Sequence, residues 1–253
     1  MTHWTRRSWL ALPLVAAQAK DRVVRVATFG LTPYAMDGGA NGSIQGAVVE
    51  FFERELAPRM GVQFHWLPLM TVPRLLMSLE SGAADFCPLL THSPEREAQV
   101  RYAAQSFVRF ESVVAVRPEH PMARRARLVP ADLVGVQVGW VQGASLPAGL
   151  ELPGIRWSWV SVVNWERALL TQVERGRIEA AYFSNRATPE WHVRANRLGL
   201  VLIHLSVPAR PVFAVGSRTD GPELMDRYNE VAPAAFADRR FEATLQRWQT
   251  QVA

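Results

Sequence analysis

Ser93-Pro94-Glu95-Arg96 puts one guanidinium in an unexpected place. The first three residues predict a helix start. Ser93 suits the N-cap, where its oxygen can accept an orphan backbone N–H, and Pro94 suits the first helical position, where no donor is needed. Glu95 suits the positive pole of the macrodipole, whereas Arg96 faces the wrong pole. Arg96 is therefore read as placed for something other than helix stability. A guanidinium stays charged and can pair with a carboxylate through two parallel hydrogen bonds, so the chemistry on offer is anion capture. The six His residues (3, 65, 92, 120, 192 and 204) show no metal-ligand spacing. Cys87 is the only cysteine and lies in an apolar run, which predicts a buried, inert thiol. No catalytic residue, metal site or cofactor is expected.

A repeated phrase supplies the scaffold. Leu75-Leu76-Met77-Ser78-Leu79-Glu80-Ser81-Gly82-Ala83-Ala84-Asp85-Phe86 reads as a helix, a glycine stop and a strand. The phrase Leu169-Leu170-Thr171-Gln172-Val173-Glu174-Arg175-Gly176-Arg177-Ile178-Glu179-Ala180 follows in the same register, pairing Gly82 with Gly176, Glu80 with Glu174 and Asp85 with Glu179. Two similar halves predict a crevice between them, and such crevices bind small molecules. Around the first copy the pattern predicts strands over 22–29, 62–69 and 84–89 and helices over 47–60 and 72–81. Around the second it predicts strands over 136–141 and 180–183, followed by the loops Gln142-Gly143-Ala144-Ser145 and Ser184-Asn185-Arg186. Tail helices over 223–237 and 241–249 are expected to pack back on the first half. Strands alternating with helices imply α/β architecture with mostly parallel sheets. The apolar strands over 111–117 and 207–215 are the expected connections between the halves.

Charge excludes one class of partner. The 253 residues carry 28 Lys+Arg against 23 Asp+Glu, a formal charge of +5, and Lys20 is the only Lys. Many arginines sit singly beside acids, and the densest run, Arg124-Arg125-Ala126-Arg127, reads as a solvated loop. A nucleic-acid patch would need more clustering and a motif. The N-terminus reads as an export signal over residues 1–19: Arg6-Arg7, an apolar stretch from Trp9 to Ala17, and the cleavage form Ala17-Gln18-Ala19, with cleavage after Ala19. Thr5-Arg6-Arg7-Ser8-Trp9-Leu10 also resembles a twin-arginine signal. Without Arg6 and Arg7 the mature chain keeps 26 basic and 23 acidic residues, a charge of +3. No other stretch is long and apolar enough to span a membrane. A soluble, exported, periplasmic protein is the expectation.

Several fragments together resemble the family 3 extracellular solute-binding proteins, periplasmic receptors for amino acids and similar polar solutes that feed ABC transporters. They are Pro33-Tyr34 with Gly46 downstream, Leu79-x-x-Gly82-x-x-Asp85, Thr91-x-Ser93-Pro94-Glu95-Arg96, Asp132-Leu133-x-Gly135, Val138-Gly139-x-x-x-Gly143, Gly176-Arg177-Ile178-Glu179-Ala180 and the closing segment from Phe241 to Trp248. Their order and spacing cover nearly the whole mature chain. The resemblance implies a two-lobed periplasmic-binding-protein-like (type II) α/β fold, two mostly parallel sheets flanked by helices and joined by two hinge strands. Lobe one would be residues 20–114 plus 210–253 and lobe two residues 115–209, closing over ligand by hinge motion. It further implies a monomer that binds a small molecule and meets a membrane permease, without catalysis.

Residue by residue, the resemblance places Arg96 on the ligand carboxylate, with Thr91 as a hydroxyl or carbonyl contact just before it. Ser145 would be a hydroxyl contact at the start of a lobe-two helix, where backbone N–H groups favour an anion. Tyr34 is the aromatic expected nearest the cleft, and one or two of Trp140, Trp157, Trp159, Trp165 and Trp191 could line it. Ser184 stands where amino-acid binders carry the Asp that neutralises the ligand ammonium. Leu31, Val72 and Leu90 also depart from the usual cleft residues. Carboxylate capture is thus expected to persist while α-amino recognition is in question; Asn164, Glu166 and Asn185 are the possible substitutes. Two alternatives stay open on the same fold: a transport-independent accessory or signalling protein with a divergent ligand site, and a cyclohexadienyl-dehydratase-like enzyme, for which Glu166 is the acid nominated for proton transfer.

Overall fold

The computed structural model describes residues 22–39, 42–219 and 222–251; the signal-peptide reading lies outside them. The chain opens with β1 (Arg22–Val26), a short hairpin of β2 (Met36–Asp37) and β3 (Ile44–Gln45), and α1 (Ala47–Phe51). α1 runs through a π-helical stretch, Phe52–Leu56, into α2 (Ala57–Met60), which ends at Gly61. β4 (Val62–Trp66), α3 (Val72–Glu80) and β5 (Phe86–Thr91) follow, then the short β6 (Val100–Tyr102) and β7 (Val108–Phe110). A second unit holds β8 (Val113–Val116), β9 (Arg127–Leu128), β10 (Gln137–Val141), β11 (Arg156–Val160), α4 (Trp165–Glu174), β12 (Ala180–Phe183), α5 (Ala187–Asn196) and β13 (Val201–Leu205). The chain ends with β14 (Arg210–Ser217), α6 (Glu223–Ala235) and α7 (Arg240–Thr250).

These strands make two large sheets. The first has the order β4-β1-β5-β14-β6, with β7 also on β14; the second has the order β11-β10-β12-β8-β13-β9. Both are mixed. β4, β1 and β5 are parallel, as are β11, β10 and β12, because helical crossovers return the chain to the same end of the sheet. β8 and β14 run antiparallel to their neighbours. The chain passes from the first sheet to the second between β7 and β8, and returns between β13 and β14. α6 and α7 do pack on the first sheet's helices: Phe52 of the π-helical stretch meets Tyr228 and Phe236, and Phe51 meets Phe241, all in an aromatic core with Phe86 and Phe107. Burying each such ring contributes about 1.5–3 kcal/mol.

The repeated phrase occupies equivalent places. α3 and α4 each end before a glycine in the left-handed region, Gly82 (φ 72°) and Gly176 (φ 66°), and each leads into a parallel strand. The paired acids do the same work. Asp85 accepts the backbone N–H of Arg25 (2.7 Å) and its Nε–H (3.0 Å), while Glu179 accepts the backbone N–H of Gln137 (2.8 Å) and a guanidinium N–H of Arg156 (2.9 Å). Each carboxylate thus ties the phrase to the first strand of its own βαβ unit.

Asp85 makes this arrangement pH-dependent. Burial alone would raise its carboxyl, but the hydrogen bonds and charge of Arg25 outweigh that and hold it below the usual range. A carboxyl with a lowered folded pKa stabilises the fold above its unfolded value, about 4, and that stability is lost as pH falls through the folded value. Asp85→Asn is expected to be less stable than wild type by about 1–2 kcal/mol at pH 7. In urea unfolding series the difference should shrink as pH falls below about 4; a constant difference would show that ionisation of Asp85 does not matter.

Candidate functional site

Parallel strands point their carboxyl ends to one side of each sheet, and in open α/β sheets ligands bind in the crevice outside those ends. Here the ends of β5, β10 and β12 face one cavity. It is lined from the first sheet by Leu89, Leu90, Thr91 and Arg96, and from the second by Val141, Ser145 and Ser184. Trp140 and Trp165, with Phe29 and Phe110, supply aromatic walls. Leu31 and Val72 also line it. The cavity is tight: about 30 Å³, room for one or two water molecules. A ligand larger than that requires the halves to part.

Direct bonds between the halves explain the tight closure. Arg96 is buried, and its Nη2 donates to the Gly143 carbonyl at 2.7 Å, with Nη1 near the Thr91 carbonyl at 3.4 Å. Arg210, at the start of β14, donates from Nη1 to the Ser145 carbonyl (2.6 Å) and from Nη2 to its Oγ (2.7 Å). The hydroxyls of Thr91 and Ser145 meet at 3.2 Å. Among the described residues neither arginine forms an ion pair. Burial disfavours the charge on both guanidiniums.

Arg96, Thr91, Ser145 and Ser184 thus line one cavity. Tyr34 does not join them. The tight turn at Leu31–Ala35, closed by the Tyr34 N–H to Leu31 carbonyl bond (2.7 Å), folds its ring into the core against Phe110 and Phe241. Of the five second-half tryptophans, Trp140 and Trp165 reach the cavity, packed edge to face at 5.6 Å.

Two local expectations need correction. The helix start at Ser93 is a single 3₁₀ turn, Pro94–Arg96, without a side-chain cap, because the Ser93 hydroxyl donates to Glu95 instead. No helix follows Ser145. The loop through Leu146-Pro147 runs on irregularly to β11, so no helix N-terminus faces the cavity. The polarity is the reverse of the expectation: the loop offers carbonyl oxygens, and the arginines donate to them.

Glu166 lies elsewhere. Its carboxylate accepts the Thr32 N–H (2.6 Å) and hydroxyl (3.1 Å), and His192 Nε2 lies 3.2 Å away. With the Trp165 indole N–H donating to the Gly30 carbonyl at 2.8 Å, it forms a second tie between the halves and lines a neighbouring groove. Asn185 accepts the Thr188 N–H at 2.9 Å at the start of α5. Asn164 precedes α4 and lines the same groove as Glu166. None of the three stands in the arginine-bearing cavity for a missing Asp. Arg210 is the residue that sequence reading missed; a basic residue between Pro208 and Pro211, opening a strand that returns between the halves, was the available signal.

Residues 24–251 match the model of a family described as bacterial extracellular solute-binding proteins, family 3. No curated protein sequence matches the chain. Among solved structures, the chain is similar to the substrate-binding protein of an amino acid ABC transporter, with TM-score 0.74, 15% identity and coverage of 90% of this chain and 100% of that one. An amino acid ABC transporter substrate-binding protein from Streptococcus pneumoniae bound to L-arginine gives TM-score 0.73 at 18% identity, covering 90% and 94%. A histidine kinase sensor domain with similarity to periplasmic binding proteins gives TM-score 0.74 at 21% identity, covering 90% and 96%. At these identities the likeness is one of fold.

Proposed function

The chain belongs to the bacterial extracellular solute-binding proteins, family 3, and on that premise we propose that it is a periplasmic receptor that captures a small polar, carboxylate-bearing ligand between two closing lobes and delivers it to an ABC transporter. The lobes correspond to residues 20–114 plus 210–253 and 115–209, with one correction: β8 (Val113–Val116) pairs only within the second sheet, so the first boundary falls at 111–112; the receptor works as an exported monomer without catalysis. One observation carries the reading: Arg96 is buried at the cleft with carbonyls, not a carboxylate, as its partners. A carboxylate entering there adds an opposite charge and a bidentate geometry that a carbonyl lacks, and the exchange releases the Gly143 loop from direct contact.

A thermal-shift screen of the mature chain against polar amino acids and small carboxylates, followed by calorimetry, tests this. A true ligand at 100 times its Kd adds about 2.7 kcal/mol, a melting rise of roughly 5–10 °C for a chain of this size. A panel in which no carboxylate raises the melting temperature would count against the reading. The transport-independent accessory or signalling role is favoured by a different feature, the direct arginine–carbonyl bonds that join the two halves across the cleft. Such a protein would hold the same shape with and without the panel.

A further inference from the structure

We propose that the cleft is built for a small organic dianion without an ammonium group, one carboxylate held by Arg96 and the other by Arg210. This rests on the receptor reading above and narrows its ligand class.

Charge is the first support. Two guanidiniums line one cavity and both donate to the same loop, Arg96 to Gly143 and Arg210 to Ser145. The carbonyls they hold are dipoles and leave two positive charges uncompensated. Among the described residues no acid lines the cavity. Ser184, which could only hydrogen-bond to an ammonium, stands at the end of β12, and Glu166 is occupied by Thr32 and His192 in a different groove. A zwitterion entering this cleft would add a third buried positive charge for which the described lining offers no carboxylate.

The walls and the remaining donor support an organic anion. Phe29, Leu31, Val72, Trp140 and Trp165 give the cavity an apolar lining that suits a carbon skeleton better than an inorganic ion. The indole N–H of Trp140 is buried in that wall without an acceptor among the described residues. A buried donor without a partner costs free energy, and Trp140 is one of the residues that line this cavity.

Position separates the two arginines' roles. Arg96 lines the enclosed cavity alone, whereas Arg210 and Ser145 line both that cavity and an open groove of about 570 Å³ bounded by Pro94, Pro147 and Pro208. The Arg210–Ser145 bonds are thus the wall between the two spaces. A ligand with a second carboxylate replaces that wall with an ion pair. The acids of the groove, Glu95 and Glu151, belong to its outer side and not to the cavity, and Glu95 is engaged by Ser93.

Calorimetry on the mature chain tests the proposal with succinate, glutarate and phthalate, each beside its single-carboxylate counterpart (butyrate, valerate, benzoate), and with L-aspartate and L-glutamate as the amino counterparts of the first two. The tightest dicarboxylate is expected to bind at least tenfold more tightly than its monocarboxylate, and the tighter of succinate and glutarate at least tenfold more tightly than its amino counterpart. Arg210→Met should remove the first of these preferences, weakening the dicarboxylate to the level of the monocarboxylate while changing the latter less than threefold. Arg210→Lys should restore part of it, and it replaces the Met variant if that one does not fold. An amino acid that binds as tightly as its dicarboxylate, or an Arg210 variant that weakens both classes alike, would overturn the dianion site while leaving a carboxylate receptor intact. Absence of binding by every dicarboxylate also overturns it, and only if the wider carboxylate screen is equally empty does the receptor reading fall too.

Discussion

Arg96→Ala is expected to weaken binding of any carboxylate ligand by about 3 kcal/mol or more, roughly 100-fold. The Arg96 side chain is buried, it faces the second half, and its donors rest on neutral oxygens that a carboxylate can displace. Arg96→Lys should recover only part of the loss, because an ammonium keeps the charge but not the planar fork. The same substitution should behave differently in the stability of the empty protein. A buried guanidinium without a carboxylate partner is a cost, so Arg96→Ala is expected to leave the ligand-free melting temperature unchanged or slightly raised. Calorimetry and thermal denaturation on wild type and both variants check the two statements together. Unchanged affinity in the Ala variant would remove Arg96 from the site, and a large fall in ligand-free stability would make it a structural residue.

Gly46→Ala should produce the largest loss of stability. Gly46 precedes α1 with φ 137°, a region that side chains avoid. The first two N–H groups of α1, from Ala47 and Val48, donate to the carbonyls of Pro33 (2.9 Å) and Tyr34 (3.0 Å), drawing the turn onto the helix end. A Cβ on residue 46 would lie 2.8 Å from the Pro33 oxygen and 2.7 Å from the Tyr34 carbonyl carbon, both backbone atoms that cannot swing aside. Backbone strain and overpacking each cost about 1–3 kcal/mol, so a combined loss of roughly 3–5 kcal/mol is expected. For a chain of this size that is a melting-temperature fall of roughly 10 °C. Gly61→Ala is the control: its φ is also positive, at 61°, but the added atom meets only the end of Arg227 at 3.8 Å. Equal losses at the two positions would show that the close approach at Gly46 contributes nothing.

Several features of this molecule were legible before any fold was known. The repeat from Leu75 to Phe86 and from Leu169 to Ala180 marks the same helix–glycine–strand unit in each half, and even the alignment of Asp85 with Glu179 has a structural counterpart in the strand N–H each one accepts. Arg96 was conspicuous because its charge opposed the dipole of an expected helix, which the structure reduces to one 3₁₀ turn. Ser184 was informative by what it lacks. Less was legible where chain direction decided the chemistry. Ser145 sits in a stretch that could have opened a helix, and the irregular path through Pro147 turned an expected set of N–H donors into carbonyl acceptors. Tyr34 was expected as the aromatic nearest the cleft, yet a single tight turn sends its ring to the core.

The sequence by itself determined the elements and their pairing into two similar α/β units, because alternating apolar strands, helical periodicity and left-handed glycines act over a few residues. It also singled out Arg96, which the structure places in the cavity between the two units. The tertiary structure alone decided which groups share the cleft. Arg96 meets Gly143 across 47 residues of chain, and Arg210 meets Ser145 across 65. No local pattern encodes such meetings. They arise because β14 runs back beside β5 and the carboxyl ends of both sheets face each other, so that two arginines remote in sequence come to line one cavity with no acid among its described lining residues.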